Sequence, residues 1–343
     1  MRLVLVLIAL AIVAGVAELI ARATLKEPAA IFPSYQTAYR YGEYELRGMR
    51  AAADFRHSSA DGVWRFVTND AGLRDARNFA YEKPRGVLRV LVLGDSHTLG
   101  YEVRQEATYA AVLERYLASR GAPAQVMNAG VAGFGTAEEL VYLVAQGHRY
   151  KPDVVVLGFS SSDFADNRRS GLFTLDAKGR LVDASRAYAP RMGVQRVLYG
   201  LPPVRWLSQH SYLLSLIERR GAADPWGAQP AQEEIDLAVA LVERVGRYCA
   251  DHGMRLLVVD LPARSEASRF TSSLPERMRD ALAGAAIEVV DSRALFEDYD
   301  GAAEFHVPHG ENHLSELSHA LIGVQLGRRI VRQAHKLQAR LGQ

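Results

Sequence analysis

The stretch Val90-Leu-Val-Leu-Gly-Asp-Ser-His97 passes directly from an unbroken apolar run into a small polar turn. Comparable apolar runs recur at residues 154–159 and 255–260, with amphipathic stretches between them. Strands that are apolar throughout are buried on both faces, which is typical of a parallel sheet covered by helices on each side. The sequence therefore predicts an α/β fold, a three-layer α/β/α sandwich with a central, mostly parallel sheet.

The alternation of the two patterns gives an approximate position for each element of this sandwich. Its strands are predicted at residues 87–93, 124–128, 154–159, 255–260 and 287–290, and its helices at 109–119, 138–146, 231–251, 274–285 and 315–340. After Asp163 the alternation stops, and prolines, aromatic residues and polar turns follow until about residue 230. We expect this segment, residues 168–230, to be an insertion over the carboxyl edge of the sheet.

The chain divides into three predicted parts. Residues 1–25 form a signal peptide or membrane anchor, residues 26–86 an extension that packs on the main domain, and residues 87–343 the main domain with its insertion. Within the extension, Gly62-Val-Trp-Arg-Phe-Val-Thr68 is typical of a hairpin.

The N-terminus has a short basic start and a long uncharged apolar run from Leu3 to Ala17. Gly15 and Ala17 satisfy the small-residue rule for cleavage after Ala17, as in an exported protein. The apolar character resumes before Arg22, however, so the run also approaches the roughly 20 residues of a spanning helix. Both alternatives place the main domain outside the cytoplasm, either anchored through this helix or released.

Composition excludes some classes of function. Lys and Arg number 41 against 39 Asp and Glu, a formal charge of +2, and the basic residues are scattered, so no nucleic-acid partner is predicted. The single cysteine, Cys249, cannot form an intramolecular disulfide, and its apolar helical surroundings are typical of a buried thiol.

Ser96 is the candidate nucleophile. It follows an apolar strand on a turn that Gly94 permits, and we expect the next helix to begin near Glu106. A serine in that position exposes its hydroxyl, and its backbone N–H is free to donate to an oxyanion. On this turn alone the alternative stays open that Ser96 merely caps a helix.

Two further strand ends carry unusual residues. Asn128-Ala-Gly-Val-Ala-Gly-Phe-Gly135 is rich in glycine, but the spacing differs from the dinucleotide fingerprint, so no organic cofactor is predicted. The third strand ends in Gly158-Phe-Ser-Ser-Ser-Asp163, where hydroxyl groups either donate to an oxyanion or satisfy a turn.

A cluster of histidines precedes the last helix, in Phe305-His-Val-Pro-His-Gly-Glu-Asn-His-Leu-Ser-Glu-Leu-Ser-His319. Activation of a serine requires a general base, and the base requires an acid that orients its other ring nitrogen. His313 and Glu311 supply such a pair. The competing interpretation is metal ligation by His306, His309 and His313, although no acidic or cysteine group elsewhere completes such a site. For His319, inside the helix, we expect a structural hydrogen bond.

These blocks resemble, in order, those of the SGNH or GDSL-type hydrolases over residues 88–330. Gly94-Asp95-Ser96 is similar to the nucleophile block, Gly133 to the oxyanion glycine, Ser162-Asp163 to the third block, and His313 with Ser318-His319 to the base block. The segment Asn69-Asp-Ala-Gly-Leu-Arg74 resembles exported, membrane-anchored members associated with cell-envelope polysaccharides.

The resemblance implies a flavodoxin-like fold and a catalytic set of Ser96, His313 and Glu311. It also implies an oxyanion hole of Ser96, Gly133 and Ser162, with Asp95 and Asp163 as supporting residues and no cofactor or metal. The sequence departs from the family twice, since Ser162 replaces an Asn and Glu311 stands for an Asp.

The function so implied is a serine hydrolase that cleaves or transfers an acyl ester, most simply acetyl, on envelope or secreted polysaccharide. An esterase and an O-acyltransferase share the same acyl-enzyme, so the sequence leaves both open. The expected partners are an acylated carbohydrate or other small ester and the membrane, through the N-terminal helix. The alternative from another class is a catalytically weakened protein that acts in carbohydrate binding or envelope assembly, suggested by Ser162 and Glu311.

Overall fold

A parallel sheet forms the centre of the fold. The computed structural model describes residues 2–24, 35–189, 201–219, 229–265, 269–310 and 312–341. Within these residues the central sheet has five parallel strands: β5 (Leu88–Leu93), β6 (Ala124–Asn128), β7 (Val154–Phe159), β11 (Arg255–Asp260) and β12 (Glu288–Val290). Their spatial order is β12-β11-β7-β5-β6. The chain leaves β5 for β6 on one side and then crosses to β7 on the other, so the sheet switches direction at β5.

Helices cover both faces of this sheet. One face packs on α3 (Tyr109–Ser119), α10 (Arg293–Phe296) and α11 (Glu316–Leu341), and the other on α4 (Thr136–Ala145), α8 (Gln232–Asp251) and α9 (Glu276–Gly284). Alternate residues of β5 supply the two cores, since Val90 and Val92 belong to the first, and Leu91 and Leu93 to the second. The predicted three-layer α/β/α sandwich is confirmed.

Two antiparallel hairpins precede the sheet. They are β1 (Gln36–Tyr41) with β2 (Tyr44–Met49), and β3 (Asp54–Ser59) with β4 (Gly62–Val67). Leu46 and Phe66 of these hairpins are fully buried in the same core as Leu91 and Leu93. The hairpins therefore pack on the sandwich and contribute to its interior.

The segment after β7 contains a helix that the sequence does not predict. α5 (Ser162–Ser170) is followed by β8 (Phe173–Leu175), β9 (Leu181–Asp183) and β10 (Ala187–Tyr188), and later by α6 (Pro202–His210) and α7 (Tyr212–Arg219). Most residues of α5 are polar, so its sequence shows no helical repeat of apolar residues. Its polar residues are instead bonded inside the protein: Asp163 accepts from the Thr136 hydroxyl, and the Asn167 carbonyl oxygen from the backbone of Ala137. Residues 190–200 and 220–228 of the predicted insertion lie outside the described residues.

The N-terminal helix α1 (Arg2–Thr24) has a mean hydropathy of 2.9 over its best window, and none of that window is buried. At 23 residues it is long enough to cross a bilayer. Length and composition are also those of a signal sequence.

Candidate active site

Ser96 lies on a turn at the carboxyl end of β5, the strand at which the sheet switches direction. Gly94 has a φ of +153°, and a Cβ there would come within 1.9 Å of the Thr98 hydroxyl, so the turn requires glycine. Asp95 caps the short helix α2 (Ser96–Leu99) by accepting from the His97 N–H at 2.8 Å. Ser96 is thus the first residue of a helix that Asp95 caps, so its hydroxyl is not used as the cap.

The expectation that the first helix after Ser96 begins near Glu106 is wrong, whereas the helix predicted at residues 109–119 from its amphipathic pattern is present. α2 starts at Ser96, a 3-10 turn spans Gln105–Ala107, and α3 begins only at Tyr109. Helix α2 was not predicted, because a helix of one turn is too short to show a helical period of apolar residues. Its position matters, since the N-terminus of a helix stabilises negative charge.

The Ser96 hydroxyl lies 2.8 Å from Nε2 of His313. Nδ1 of the same ring lies 2.6 Å from the carbonyl oxygen of Gly310. A carbonyl only accepts, so Nδ1 carries the proton and Nε2 of the neutral ring is the acceptor for the Ser96 hydroxyl. This is the tautomer in which a histidine takes a proton from serine. Glu311, the acid candidate from the sequence, lies outside the described residues.

The other histidines of this region have separate partners. His306 contacts the Pro262 carbonyl at 3.0 Å, and His309 contacts Asp61 at 2.9 Å. His319 accepts from the backbone N–H of Tyr109 at 3.0 Å, which satisfies the first turn of α3 and is the structural hydrogen bond expected from the sequence. In the part of the chain that the structure describes, no group of three His, Cys, Asp or Glu side chains is arranged to hold a metal ion.

The glycine-rich loop after β6 is held by the N-terminal hairpins. Gly133 has a φ of +75°, and the Arg47 guanidinium of β2 donates to its carbonyl oxygen. Gln36 of β1 donates to the Ala132 carbonyl at 2.7 Å, and Glu138 accepts from the Gly135 N–H at 2.8 Å. Sequence reasoning missed Arg47 and Gln36, because nothing in residues 26–86 indicates that they reach a loop almost a hundred residues away.

The third block places Ser162 next to Asp95. The hydroxyls of Ser160 and Ser162 donate to Oδ2 of Asp95 at 2.7 and 3.1 Å. Asp163 accepts from the Ser160 N–H at 2.9 Å. Burial raises the pKa of Asp95, an effect that its hydrogen bonds from Ser160, His97 and Ser162 and the charge of His313 only partly offset. Ser162 therefore lies close to the turn that carries the candidate nucleophile Ser96 (residues 94–100, the nucleophile turn). Its hydroxyl donates to the carboxylate of Asp95, which caps α2.

Arg74 fixes the far end of the nucleophile turn. Its buried guanidinium donates to the Leu99 carbonyl at 2.5 Å, to the Gly100 carbonyl and to the Val103 carbonyl at 2.6 Å. Burial lowers the pKa of Arg74 to about 9, which still leaves it charged at neutral pH. The sequence analysis singles out Asn69–Arg74 by its resemblance, but only the fold shows that the Arg74 guanidinium donates to carbonyls that follow Ser96.

The arrangement supplies the parts that acyl transfer needs. The Ser96 hydroxyl at the start of a short helix lies against Nε2 of His313, and a loop with a left-handed glycine follows the neighbouring strand. Such a group can attack an acyl carbon while the histidine takes its proton.

Comparisons with known proteins agree with this chemistry. A family model described as the GDSL-like lipase/acylhydrolase family matches residues 92–321, and no curated protein matches. Among solved structures, a lipase/acylhydrolase from Enterococcus faecalis is 17% identical with a TM-score of 0.43, over 71% of this chain and 95% of its own. An acetyl-xylooligosaccharide esterase from Geobacillus, solved as a mutant, is 12% identical with a TM-score of 0.40, over 71% and 93%.

The family match covers well over half of the chain and includes Ser96, Gly133, Ser162 and His313. It confirms the resemblance of the four blocks to the GDSL-type hydrolases. The protein is therefore an ester hydrolase that belongs to the GDSL-like lipase/acylhydrolase family.

Proposed function

We propose that the protein is a serine esterase outside the cytoplasm that removes acyl groups, most simply acetyl, from envelope or secreted polysaccharide. Ser96 is the nucleophile and His313 the base. The observation that carries this assignment is the 2.8 Å contact between the Ser96 hydroxyl and Nε2 of His313 at the switch point of the sheet. The same contact favours an enzyme over the alternative of an inactive binding protein, which has no need of this tautomer.

In the proposed reaction, Ser96 Oγ attacks the acyl carbon and His313 Nε2 takes the hydroxyl proton. The backbone N–H groups of Ser96 and Gly133 hold the oxyanion, and His313 then gives the proton to the sugar oxygen as its bond to the acyl carbon breaks. Water, activated by the same imidazole, attacks the acyl-enzyme and releases the acid. A sugar hydroxyl entering in place of water would make the reaction a transfer.

Ser162 is the least direct member of the proposed oxyanion hole. Its hydroxyl donates to Asp95, so it acts on the oxyanion only if it turns from that carboxylate when substrate binds. Ser160 also donates to Asp95 and would keep the carboxylate satisfied after such a turn. Replacement of Ser162 by Ala therefore tests a third donor, with an expected loss in kcat of less than about 100-fold.

A cleft beside the site supports a large polar substrate. Its volume is about 1490 Å³, and it is bordered by Ser161 after β7 and Asn312 before His313. Its lining combines the partly exposed Phe270 with hydroxyl groups and arginines such as Arg264 and Arg279. Aromatic faces and hydrogen-bonding groups are the means by which proteins hold sugars, and the volume exceeds that of a single short-chain ester.

The contacts of α1 favour an uncleaved anchor. Glu18 accepts from the Ser211 hydroxyl at 2.7 Å and from the N–H groups of Tyr212 and Leu213 at 3.0 Å, and so caps α7. The bond after Ala17 therefore lies inside a helix whose next residue is bonded to another element. The intact mass of the protein purified from membranes should include residues 1–17, and a product that begins at Glu18 would show cleavage.

The decisive experiment uses a serine-directed fluorophosphonate and hydrolysis of p-nitrophenyl acetate. The wild-type protein should be labelled on Ser96 and release nitrophenol, and Ser96→Ala and His313→Ala should do neither. Ser119→Ala removes an exposed hydroxyl at the end of α3 and serves as the control. Labelling or turnover that persists in Ser96→Ala contradicts the assignment. Acetate release from acetylated xylan, compared with transfer to added oligosaccharide, then separates hydrolysis from transfer.

A further inference from the structure

Gly310 stands three residues before His313, and the space beside it is filled from elsewhere in the chain. A Cβ on Gly310 would lie 1.7 Å from Oε2 of Glu102. Glu102 is only 3% exposed. Its carboxylate therefore occupies the volume into which a side chain at position 310 would project, next to the backbone whose carbonyl accepts from Nδ1 of His313.

The backbone at Glu102 is held in an uncommon conformation. Its φ is +57°, in the left-handed region that residues other than glycine rarely adopt, at a cost of order 1–3 kcal/mol. This conformation directs the residue inward directly after Tyr101, whose ring stacks on that of His313 with centroids 4.4 Å apart. A strained residue beside a reacting group indicates that its position matters.

The two oxygens of Glu102 are used differently. Oε1 lies 3.2 Å from Nε2 of His57, a buried residue of β3. Oε2, the oxygen at Gly310, has no hydrogen-bond partner among the residues that the structure describes. Burying a carboxylate oxygen without a partner is unfavourable, so a positive charge that forms close by would be stabilised.

The carboxyl group is ionised at neutral pH. Burial acts to raise the pKa of Glu102, but hydrogen bonds from His57 and Ser59 and the charges of His57 and His313 outweigh it, and the pKa is lowered. Other groups also face His313: Asp95 and His97 of the nucleophile turn, and His319 of α11. Burial lowers the pKa of His97 to about 3 and of His319 to about 3, so both rings are neutral.

We propose that Glu102 is the positioning residue of His313: its carboxylate, which lies beside Gly310, supplies the negative charge that favours this orientation of the imidazole and stabilises the ring when it is protonated. This inference rests on the proposed roles of Ser96 and His313. The Gly310 carbonyl fixes the ring tautomer but is neutral, and the carboxylate adds the charge. Glu102 takes no proton and touches no substrate.

The first test replaces the charge at constant volume. Glu102→Gln in the full chain should lower kcat for p-nitrophenyl acetate about 10- to 100-fold and leave KM within about twofold. The acid limb of the kcat/KM profile should move to lower pH, because loss of a negative charge disfavours protonated His313. Asp61→Asn removes another carboxylate that contacts the same loop, at His309, and should leave the acid limb in place.

The second test moves the carboxylate. Glu102→Ala should lose activity, and the double variant Glu102→Ala with Gly310→Asp should regain at least tenfold in kcat, since the aspartate enters the space that Glu102 leaves. If Glu102 only braces the β3–β4 hairpin through His57, the double variant will be no more active than Glu102→Ala, and the proposal fails. Circular dichroism and melting temperature identify a variant that does not fold, and the isosteric Glu102→Gln then decides.

Three outcomes separate this inference from the proposed function. Wild-type kinetics in Glu102→Gln, together with loss of activity in Ser96→Ala, would overturn only the role of Glu102. A Glu311→Gln variant that reproduces the pH shift while Glu102→Gln does not would assign the charge to Glu311 instead. Activity that survives Ser96→Ala would remove the foundation of both.

Discussion

The loops that carry Ser96 and His313 are built in different ways. The nucleophile turn rests on buried bonds: Asp95 accepts from the His97 N–H, and the Arg74 guanidinium donates to the carbonyls of Leu99, Gly100 and Val103. The loop of His313 is held by residues far along the chain. His306 contacts Pro262, and His309 contacts Asp61 of the β3–β4 turn.

The comparison teaches that the two halves of the site have different sensitivities. The bonds of the nucleophile turn are buried, so the loss of one of them should be costly. The contact of His309 with Asp61 is partly exposed, so its loss should reach the activity through His313 and change the stability little.

The largest effect is expected from removal of either reacting group. Ser96→Ala and His313→Ala should each lower kcat by more than about 10³-fold, and the double variant should be no worse than either single variant, because the two act as one unit. Steady-state hydrolysis of p-nitrophenyl acetate measures this. Losses that add in the double variant would show that the two residues act independently.

Removal of the Arg74 guanidinium should destabilise the nucleophile turn. Arg74→Met leaves the carbonyls of Leu99, Gly100 and Val103 without their charged donor in a buried site, and should lower the free energy of unfolding by about 3 kcal/mol or more. Urea denaturation measures it. Arg115→Met, which removes an exposed contact to one carbonyl, should cost less than about 0.5 kcal/mol. Equal costs would contradict the role of Arg74.

The glycine-rich loop after β6, which Glu138 holds, gives a test based on the pH dependence of stability. Burial raises the pKa of Glu138 to about 8, against the opposing effects of Arg47 and the Gly135 N–H. A carboxyl whose folded pKa is raised contributes stability below its unfolded pKa and loses it as pH rises through the folded value. Between pH 6.5 and 8 the wild type should therefore lose about 1–2 kcal/mol through Glu138.

Glu138→Gln should show a smaller loss of stability over this interval, measured by urea denaturation at both pH values. The buried histidines and the other buried acids are the same in both proteins, so their contributions to the slope cancel in the comparison. Glu233→Gln, an exposed residue of α8, is the control and should keep the wild-type slope. A wild-type slope in Glu138→Gln would show that Glu138 is ionised in the folded protein.

The smallest effect is expected at the distant support of the His313 loop. Asp61→Asn weakens both contacts to His309 and should lower kcat/KM about two- to fivefold with little change in melting temperature, because the pair is partly exposed. Asp176→Asn is the control. It removes the charge of a carboxylate that accepts from backbone N–H groups in the exposed turn between β8 and β9, and it should leave kcat/KM unchanged. Equal kinetics in both variants would remove the distinction between the two loops.

Much of the fold could be predicted, since apolar strands and amphipathic helices carry their own periodicity. The strands at residues 124–128, 154–159 and 255–260 have the predicted bounds, as does α3. Helix α5 could not be predicted, because its buried polar residues bond to groups outside the helix, such as the Thr136 hydroxyl and the Ala137 N–H of α4.

For the site, the order of the blocks indicated Ser96 and His313, and the structure brings these two into contact. The structure also shows that the Ser162 hydroxyl donates to the carboxylate of Asp95, a contact that the sequence does not indicate. Nothing in the spacing of Arg47, His57 or Glu102 connects them with the site, since each acts across a gap that only the packing of the hairpins closes.

The sequence by itself determined the apolar strands, the glycine turn before Ser96 and the apolar N-terminal helix, because each follows from residues adjacent in the chain. Only the tertiary structure decided that the turn at β5 meets His313 and that a carboxylate of Glu102 lies where Gly310 has no side chain. The physical reason is that a strand or a tight turn is stabilised mainly by local bonds. The contact between Ser96 and His313 joins residues that are 217 positions apart, so only the packing of the whole domain can form it.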